Sequence, residues 1–282
     1  MRKKLMLFIA MSLTLTILLT GCGSQKKINS AGTTQTTGED TFKVGLECGY
    51  APFNWTQMNS SNGGVKIDGN AEYAGGYDIE IAKKIADGLG KKLVIVKTVW
   101  EGLVPALNSG KIDAIIAGMS PTAERKKSID FSDSYYQSQL IMVVKKGGKY
   151  DGASTLKDFS GSKITAQLNT FHYSVIDQIP GVIKQTAMDD FPAMRVALQS
   201  GIIDGYVSER PEGVSASKAN SDFKMIEFTD GFKASEEDTA IAVGLKKGST
   251  LTSKINEILK GISQDERKTI MDTAIANQPA SK

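Results

Sequence analysis

The spacing of apolar residues in the body of the chain switches repeatedly between the period of a strand and the period of a helix. Residues 42–47 alternate apolar and polar positions and run into a turn that contains glycine and proline, which predicts a strand followed by a loop. Residues 78–89 carry apolar residues at helical spacing and a glycine directly afterwards, which predicts an amphipathic helix. Residues 93–99 and 112–117 are predicted strands. This alternation predicts an α/β protein whose sheets are mainly parallel and flanked by helices.

One segment of this pattern recurs. Residues 106–113 match residues 197–204 at six of eight positions, and each copy combines a helix end, a glycine and an Ile-Asp pair that leads into a strand. The repeat predicts two lobes of similar construction. Open α/β sheets bind ligands beyond the carboxyl ends of their strands, which here correspond to residues 118–125 and 208–211. A ligand held by both places would lie in a cleft between the lobes.

The amino terminus has the pattern of an export signal. Basic residues within 1–4 precede an apolar run over residues 5–19, which is short for the roughly 30 Å core of a bilayer. The run closes with Leu-Thr-Gly-Cys, ending at Cys22, which resembles the lipobox of bacterial lipoproteins. That resemblance implies cleavage of a signal peptide, residues 1–21, and a lipid on Cys22; an ordinary cleavage site beside an incidental cysteine is the alternative. The polar residues 22–41 predict a flexible tether.

Charge and composition exclude several classes of function. The chain has 34 basic and 31 acidic residues, and its net charge of +3 is matched by the three basic residues of the predicted signal peptide. A neutral mature chain has no general electrostatic attraction for nucleic acid or anionic lipid. Two cysteines, Cys22 and Cys48, and the single His172 are too few for a structural zinc site. No nucleophile elbow accompanies His172, which argues against a Ser-His-Asp hydrolase.

A candidate anion-binding group follows the strand of residues 112–117. Thr122 is a predicted helix N-cap, which would place Arg125 in the first turn of the helix. A helix dipole disfavours a cation at that end. A bound carboxylate would remove the conflict, because it would accept from free backbone N–H groups and from the guanidinium together. The alternative is a solvated surface arginine, since Lys126 and Lys127 follow.

Several motifs in a fixed order resemble the polar amino-acid family of bacterial solute-binding proteins, which serve ABC importers. They are the lipobox and the segments Gly45–Phe53, Gly76–Ala82, Gly110–Ala114, Ser120–Arg125 and Asp130–Ser132. The resemblance covers roughly residues 42–275. It implies a two-lobed type II periplasmic-binding-protein fold, each lobe a mainly parallel sheet flanked by helices, with two hinge crossovers near residues 134–139 and 236–240. The first lobe would comprise residues 42–136 and 238–282, and the second lobe residues 137–237.

The same resemblance implies a set of contacts to the backbone of a bound amino acid. Arg125 would hold the α-carboxylate, helped by Ser120 and, from the second lobe, by Thr170. The carbonyl of Gly118 would accept from the α-ammonium. Glu209 stands where the family often has an aspartate for this ammonium. Pairing of Glu209 with a nearby arginine is the alternative.

Three further residues match positions around the ligand's side chain. Tyr50 and Trp100 would be aromatic walls, and Glu47 would meet a polar or cationic side-chain end. The alternatives are core packing for Trp100 and a solvated rim position for Glu47. Two aromatic walls and an acid favour arginine, lysine, ornithine and histidine over glutamine, and glutamine over acidic or small aliphatic amino acids. His172 is expected on a helix surface near the mouth of the cleft.

The sequence therefore predicts a lipid-anchored receptor on the outer face of the cell membrane. It would capture a free amino acid and deliver it to an ABC permease and its ATPase. We expect a monomer that has no catalytic activity, cofactor or metal, contacts the membrane only through its lipid, and binds no nucleic acid. Two alternatives remain at this point: a dehydratase-like enzyme on the same fold, with Glu209 as general acid, and a surface adhesin.

Overall fold

A computed structural model of the chain describes residues 40–279, so the predicted signal peptide and Cys22 lie outside the described residues. The strands are β1 (Thr41–Leu46), β2 (Gly49–Tyr50), β3 (Asn54–Gln57), β4 (Val65–Lys66), β5 (Tyr73–Gly75), β6 (Lys92–Lys97), β7 (Ala114–Ile115), β8 (Asp130–Gln137), β9 (Leu140–Lys145), β10 (Lys163–Thr165), β11 (Ile183–Lys184), β12 (Gly205–Glu209), β13 (Phe223–Ile226) and β14 (Ala240–Leu245).

The α-helices of the described residues begin at Tyr77 and end at Asn277. They are α1 (Tyr77–Leu89), α2 (Leu103–Asn108), α3 (Arg125–Ser128), α4 (Phe171–Val175), α5 (Phe191–Ser200), α6 (Arg210–Ala219), α7 (Glu236–Thr239), α8 (Leu251–Lys260) and α9 (Gln264–Asn277). Short 3-10 helices occur at Ser61–Gly63, Trp100–Gly102, Leu156–Phe159 and Ile176–Gln178. Within residues 40–279, no helix combines the length and the apolar character that a membrane crossing needs.

Two five-stranded sheets form the two predicted lobes. The first has the order β6-β1-β7-β14-β8 and the second the order β11-β10-β12-β9-β13. In each sheet the first three strands are parallel, and the last two pairings are antiparallel. Four of the five strands in each sheet thus run in the same direction, and only β14 in the first sheet and β9 in the second run against them. The antiparallel strands are those next to the crossovers, because a strand that leaves a lobe and a strand that returns to it run in opposite directions.

The two crossovers lie side by side. The chain passes from the first sheet to the second between β8 and β9 and returns between α7 and β14. The backbone N–H of Ser138 donates to the carbonyl of Thr239 over 2.9 Å, and the side chain of Gln137 donates to the Thr239 hydroxyl over 2.6 Å. The ends of β8 and β14 are paired there, Gln137 with Ala240. The extent of each lobe remains a prediction.

The predicted amphipathic helix is α1, which begins one residue earlier than expected. Its buried face comprises Ile79, Ile81, Ala82, Ile85 and Ala86. Gly90 ends the helix with a left-handed φ of 66°, and its N–H donates to the carbonyl of Asp87 over 3.0 Å. Glycine is the residue that adopts this conformation without steric cost. The apolar spacing and the final glycine therefore located this helix correctly.

The repeated sequence segment forms the same structure in both lobes. Gly110 and Gly201 have left-handed φ values of 77° and 78°. Beyond them, the carboxylate of Asp113 accepts from the backbone N–H of Lys43 on β1, and that of Asp204 accepts from Lys163 on β10, each over 2.8 Å. Each aspartate thus fixes the start of a strand beside the parallel strand with which it pairs. The sequence repeat thus encodes the same left-handed glycine and the same aspartate hydrogen bond in both lobes.

A continuous apolar core links the lobes. Phe42, Val44 and Leu46 of β1 are fully buried in it, and it extends through Tyr50 to Phe191 of the second lobe. A separate apolar cluster fills the other side of the second sheet and includes Met142, Phe159, Ile164, Ile176 and Val207. Because the first core crosses from one lobe to the other beside Tyr50, the cleft between the sheets has an apolar floor.

Substituting the two repeated glycines tests the equivalence of the segments. Gly110→Ala and Gly201→Ala should each lower the free energy of unfolding by about 1–2 kcal/mol, because alanine is strained at positive φ. The space around each position is open, so no clash adds to this cost. Gly152→Ala is the matched control, since Gly152 is equally open and lacks a positive φ. Urea unfolding measures all three; equal effects at the three positions would contradict the assignment.

Candidate functional site

The carboxyl ends of strands from both sheets meet at one small cavity. Six of the eight predicted ligand-binding residues line it, together with three others on the second lobe. The lining residues are Tyr50, Trp100, Gly118, Ser120, Arg125, Gln167, Thr170, Phe171 and His172. The two remaining predicted residues, Glu47 and Glu209, are hydrogen-bonded to Gln167 and Tyr50 of this lining. The structure therefore brings the whole predicted set together, although the role of each residue in binding remains a prediction.

Arg125 lies where the two lobes meet. One terminal nitrogen donates to the carbonyl of Ser120 and the other to the carbonyl of Asn169, each over 3.0 Å. The guanidinium also stacks on the ring of Trp100, with its carbon 4.9 Å from the ring centre. Burial lowers the pKa of Arg125 to about 10, while the nearby Glu209 carboxylate opposes this change. Arg125 thus remains a cation at neutral pH and is held in place, unlike a solvated surface arginine.

The position of Arg125 has a different local cause from the helix dipole that the sequence suggested. The helix α3 begins at Arg125 and is only four residues long, and its N-cap is Glu124. The Thr122 hydroxyl does accept from the backbone N–H of Arg125, over 3.3 Å. A single turn has little macrodipole, so the dipole does not account for the site. The position of Arg125 is explained instead by its hydrogen bonds to two carbonyls and by its stacking on Trp100.

Tyr50 is buried and engaged on several sides. Its ring stacks on Phe191, with the centres 4.3 Å apart, and packs against Phe53. Its hydroxyl donates to Oε2 of Glu209 over 2.6 Å. Gly118 lies so close to this ring that a Cβ there would approach Tyr50 to 2.6 Å, and its φ of 62° is left-handed. The site therefore requires glycine at position 118.

These contacts change the argument for an aromatic sandwich. The Trp100 ring already covers the guanidinium of Arg125, and the Tyr50 ring already stacks on Phe191. The sequence suggested that both rings would flank the ligand's side chain. A cation–π preference for a cationic ligand therefore has less support from geometry than the sequence implied. The polar residues beside the cavity carry that argument instead.

Glu209 is buried at the carboxyl end of β12. Its Oε2 accepts from Tyr50, whereas Oε1 has no hydrogen-bond partner among residues 40–279. The neighbouring arginines are paired elsewhere, Arg210 with Glu227 and Arg195 with Glu212. The alternative in which Glu209 pairs with an arginine is therefore not what the structure shows.

Glu47 follows β1 and faces the second lobe. Its Oε1 accepts from Nε2 of Gln167 over 2.9 Å, and Oε2 is buried without a hydrogen-bond partner in the described part of the chain. Burial raises the pKa of Glu47 to about 8, the hydrogen bond from Gln167 opposes this change, and Asp190 and Asp78 reinforce it. Glu47 is therefore not a solvated rim acid.

The turn before α4 supplies the second lobe's contribution. Thr170 occupies the N-cap position, and its hydroxyl donates to the carbonyl of Gln167 over 2.7 Å. Asn169 adopts the left-handed region with a φ of 56°, a conformation that asparagine tolerates better than most residues. Its side chain donates to Glu101 of the first lobe over 2.5 Å. This turn therefore touches the first lobe through both its backbone and its side chain.

Two features of the site escaped the sequence analysis. His172 is buried and lines the cavity, so its expected position on a helix surface is wrong. Behind the site, the buried carboxylate of Asp78 accepts from the Tyr135 hydroxyl over 2.8 Å, and that hydroxyl accepts from the N–H of Gly118 over 3.3 Å. Burial raises the pKa of Asp78 to about 7. Among the additional residues at or behind the cavity, only Gln167 had a signal in the sequence. It lies just beyond the carboxyl end of β10, where α/β sheets bind their ligands.

Comparison with known proteins identifies relatives along nearly the whole chain. Residues 42–275 match the family described as bacterial extracellular solute-binding proteins, family 3. The arginine-binding extracellular protein ArtP of Bacillus subtilis is 27% identical over 274 residues, 92% of each chain. The glutamine-binding ABC transporter protein GlnH of the same organism is 30% identical over 269 residues, 94% of each chain.

Solved structures agree in fold. An amino-acid ABC transporter substrate-binding protein of Streptococcus pneumoniae bound to L-arginine superimposes with a TM-score of 0.73 at 27% identity, covering 84% of this chain and 94% of that one. An ancestral amino-acid-binding protein described as a precursor of cyclohexadienyl dehydratase gives 0.68 at 27% identity, covering 83% and 95%. The predicted two-lobed type II periplasmic-binding-protein fold is confirmed.

Proposed function

Since the chain belongs to the bacterial extracellular solute-binding proteins, family 3, we propose that it is the substrate-binding protein of an amino-acid ABC importer. It would act outside the cytoplasm, capture a free amino acid between its lobes and deliver it to the permease and its ATPase. Closure of the lobes around the ligand would use the two adjacent crossovers as hinges.

One observation carries this proposal: Arg125 and Glu209 meet at the same cavity. A free amino acid presents a carboxylate and an ammonium on one carbon atom. The held guanidinium of Arg125 would take the carboxylate, together with Ser120 and Thr170. The free Oε1 of Glu209 and the carbonyl of Gly118 would take the ammonium. Each buried charge then obtains the partner that its burial demands.

Glu47 and Gln167 would set the preference for the side chain. They join the lobes at the edge of the cavity, and one carboxylate oxygen of Glu47 has no partner in the described residues. A guanidinium or ammonium brought to this oxygen would keep Glu47 ionised and form a charge-assisted hydrogen bond. We therefore place arginine, lysine, ornithine and histidine above glutamine. The relatives named for arginine and glutamine binding support a polar ligand.

Cys22 would anchor the receptor. Lipid on this residue and a tether of about twenty residues would keep the binding lobes near the permease while leaving them free to close. No further contact with the membrane is required, and the receptor would act as a monomer. The two-lobed body holds the whole candidate site within one chain.

The dehydratase alternative has one comparison in its favour. The precursor of cyclohexadienyl dehydratase shares this fold, but its own description is that of an amino-acid-binding protein. An enzyme of that kind would use Glu209 as a general acid. In this chain Glu209 is bonded to Tyr50 and lies opposite a held arginine, an arrangement that suits ammonium binding. Turnover of prephenate or arogenate by the purified protein would be required for the alternative.

Removing Arg125 tests the binding site. Arg125→Ala should weaken the binding of the preferred amino acid by about 100- to 1000-fold, because a buried carboxylate would lose its charged partner. The ligand is first chosen by a thermal-shift screen of the twenty amino acids, ornithine and cystine. Lys127→Ala is the matched control, because it removes a cation from the same helix at an exposed position. Near-normal affinity of Arg125→Ala in calorimetry would overturn the assignment.

Replacing Glu47 tests the preference for a cation. Glu47→Gln should weaken the binding of L-arginine by about 10- to 100-fold, the value of a hydrogen bond to a charged group, and should change L-glutamine binding much less. Dissociation constants for arginine, glutamine, glutamate and alanine measure this ranking. Glu257→Gln on the exposed surface of α8 is the control. If glutamate or alanine binds best, the specificity argument fails while the receptor proposal stands.

Replacing Cys22 tests the anchor. Cys22→Ser should release the protein from the membrane fraction, because the serine cannot carry a thioether-linked lipid. Fractionation of cells with an alkaline wash measures this, and Cys48→Ser is the control because Cys48 is buried in the folded body. Continued sedimentation of Cys22→Ser with washed membranes would refute the lipid anchor.

A further inference from the structure

His172 is a buried polar group whose ring has no hydrogen-bond partner in the described part of the chain. It is the second residue of α4, it is 6% exposed, and it is the only histidine in the sequence. Neither ring nitrogen has a hydrogen-bond partner among residues 40–279, although the ring packs against Phe171. An unpartnered buried imidazole costs free energy, and such groups point to a ligand or a function. His172 also lines the candidate cavity.

A second unpartnered atom faces it. Nε2 of His172 lies 3.7 Å from Oε1 of Glu209, the carboxylate oxygen that Tyr50 leaves free. This distance is too long for a hydrogen bond between the two side chains. It is short enough that one nitrogen atom of a third group can lie within hydrogen-bond distance of both. The pair therefore has the geometry of a two-acceptor site.

We propose that His172 is a further ligand-contacting residue that shares the ammonium group of the bound amino acid with Glu209 and makes binding depend on pH. This inference rests on the proposed function. In its neutral form the imidazole Nε2 accepts a hydrogen bond from the ammonium. In its protonated form the ring carries a charge of the same sign as the ammonium and pairs with Glu209 instead. Acidification therefore removes Nε2 of His172 as an acceptor. It also pairs the carboxylate of Glu209 with the protonated imidazole, so the ligand is released.

Other charged groups at the cavity do not remove this effect. Arg125 lines the same cavity, where it would be matched by the ligand's carboxylate. The Tyr50 hydroxyl donates to the other oxygen of Glu209. Two acids titrate in an overlapping range: Glu47, bonded to Gln167, has a pKa of about 8, and Asp78 behind the site has a pKa of about 7. Asp78 is retained in a His172 variant, so the difference between that variant and the wild-type protein reports His172. The effect of Glu47 depends on the ligand's side chain, whereas every amino acid has the ammonium that His172 would contact.

The effects of His172 and of Glu47 on the pH dependence of binding can be separated by comparing a cationic ligand with a neutral one. The affinity of the wild-type protein for L-arginine and for L-glutamine is measured by calorimetry from pH 8.5 down to pH 5.0, a range that spans the usual titration of histidine. Both affinities should fall with decreasing pH, by about 5- to 50-fold. His172→Gln should bind both ligands near pH 7.5, since an amide oxygen also accepts from an ammonium. Its affinity for L-glutamine should fall with decreasing pH much less than that of the wild-type protein, whereas its affinity for L-arginine should keep the part of the decline that Glu47 causes. Glu47→Gln should keep the decline for L-glutamine.

The single histidine provides a second measurement that needs no variant. Its ring resonances can be followed by NMR as the pH changes, with and without saturating L-glutamine. Because coupling between binding and protonation is reciprocal, the ligand should move the titration midpoint of the imidazole to lower pH, by the logarithm of the affinity ratio. An unmoved midpoint, or a His172→Gln protein with the wild-type pH dependence, would overturn the inference. Failure of the wild-type protein to bind any amino acid at any pH would instead overturn the proposed function.

Discussion

The burial of opposite charges at the meeting point of two sheets is the constraint around which the cleft is built. Arg125 and Glu209 come from different lobes: Glu209 is buried and Arg125 is half-buried, and within residues 40–279 neither takes part in an ion pair between a carboxylate and a lysine or arginine. Arg125 is held by two carbonyls and an aromatic ring, and Glu209 by one tyrosine hydroxyl. Such groups are costly in isolation. A zwitterionic ligand would compensate both costs together, which is the physical basis for proposing that these two residues bind the amino acid.

The same residues couple binding to the relative position of the lobes. Hydrogen bonds cross the cleft from Tyr50 to Glu209, from Gln167 to Glu47, from Asn169 to Glu101 and from Arg125 to the carbonyl of Asn169. Each joins a residue that belongs to the site with one from the other lobe. Rearrangement of the cleft therefore changes the site itself. The two crossovers are hydrogen-bonded to each other, as the proposed closure about a hinge would require.

Buried residues behind the cavity hold the backbone of Gly118 in place. Asp78 on α1 is buried and accepts from Tyr135 and Asn54, and Tyr135 in turn accepts from the N–H of Gly118. This chain of hydrogen bonds connects a helix of the first lobe to Gly118, which lines the cavity. The Tyr50 ring closes the other side of the same glycine. Gly118 is thus fixed by contacts rather than by its own conformational preference.

Local patterns in the sequence determined the alternation of strands and helices in the first lobe. The helix α1 follows from its apolar spacing and Gly90, and the equivalence of the lobes follows from the repeated segments that end at Asp113 and Asp204. The rule that ligands bind at the carboxyl ends of parallel strands located the cleft. The family resemblance supplied the residues that line it. These features depend on residues close together in the chain, so the sequence carries them directly.

Only the tertiary structure decided which side chains contact each other at the site. Spacing along the chain cannot show that Tyr50 stacks on Phe191, that Trp100 covers Arg125, or that His172 turns into the cavity toward Glu209. These contacts join residues that are far apart in sequence, and side-chain burial follows from the packing of both lobes together. For the same reason the ionisation of Glu47 could not be foreseen, because its pKa is raised by burial, and this burial exists only in the folded chain.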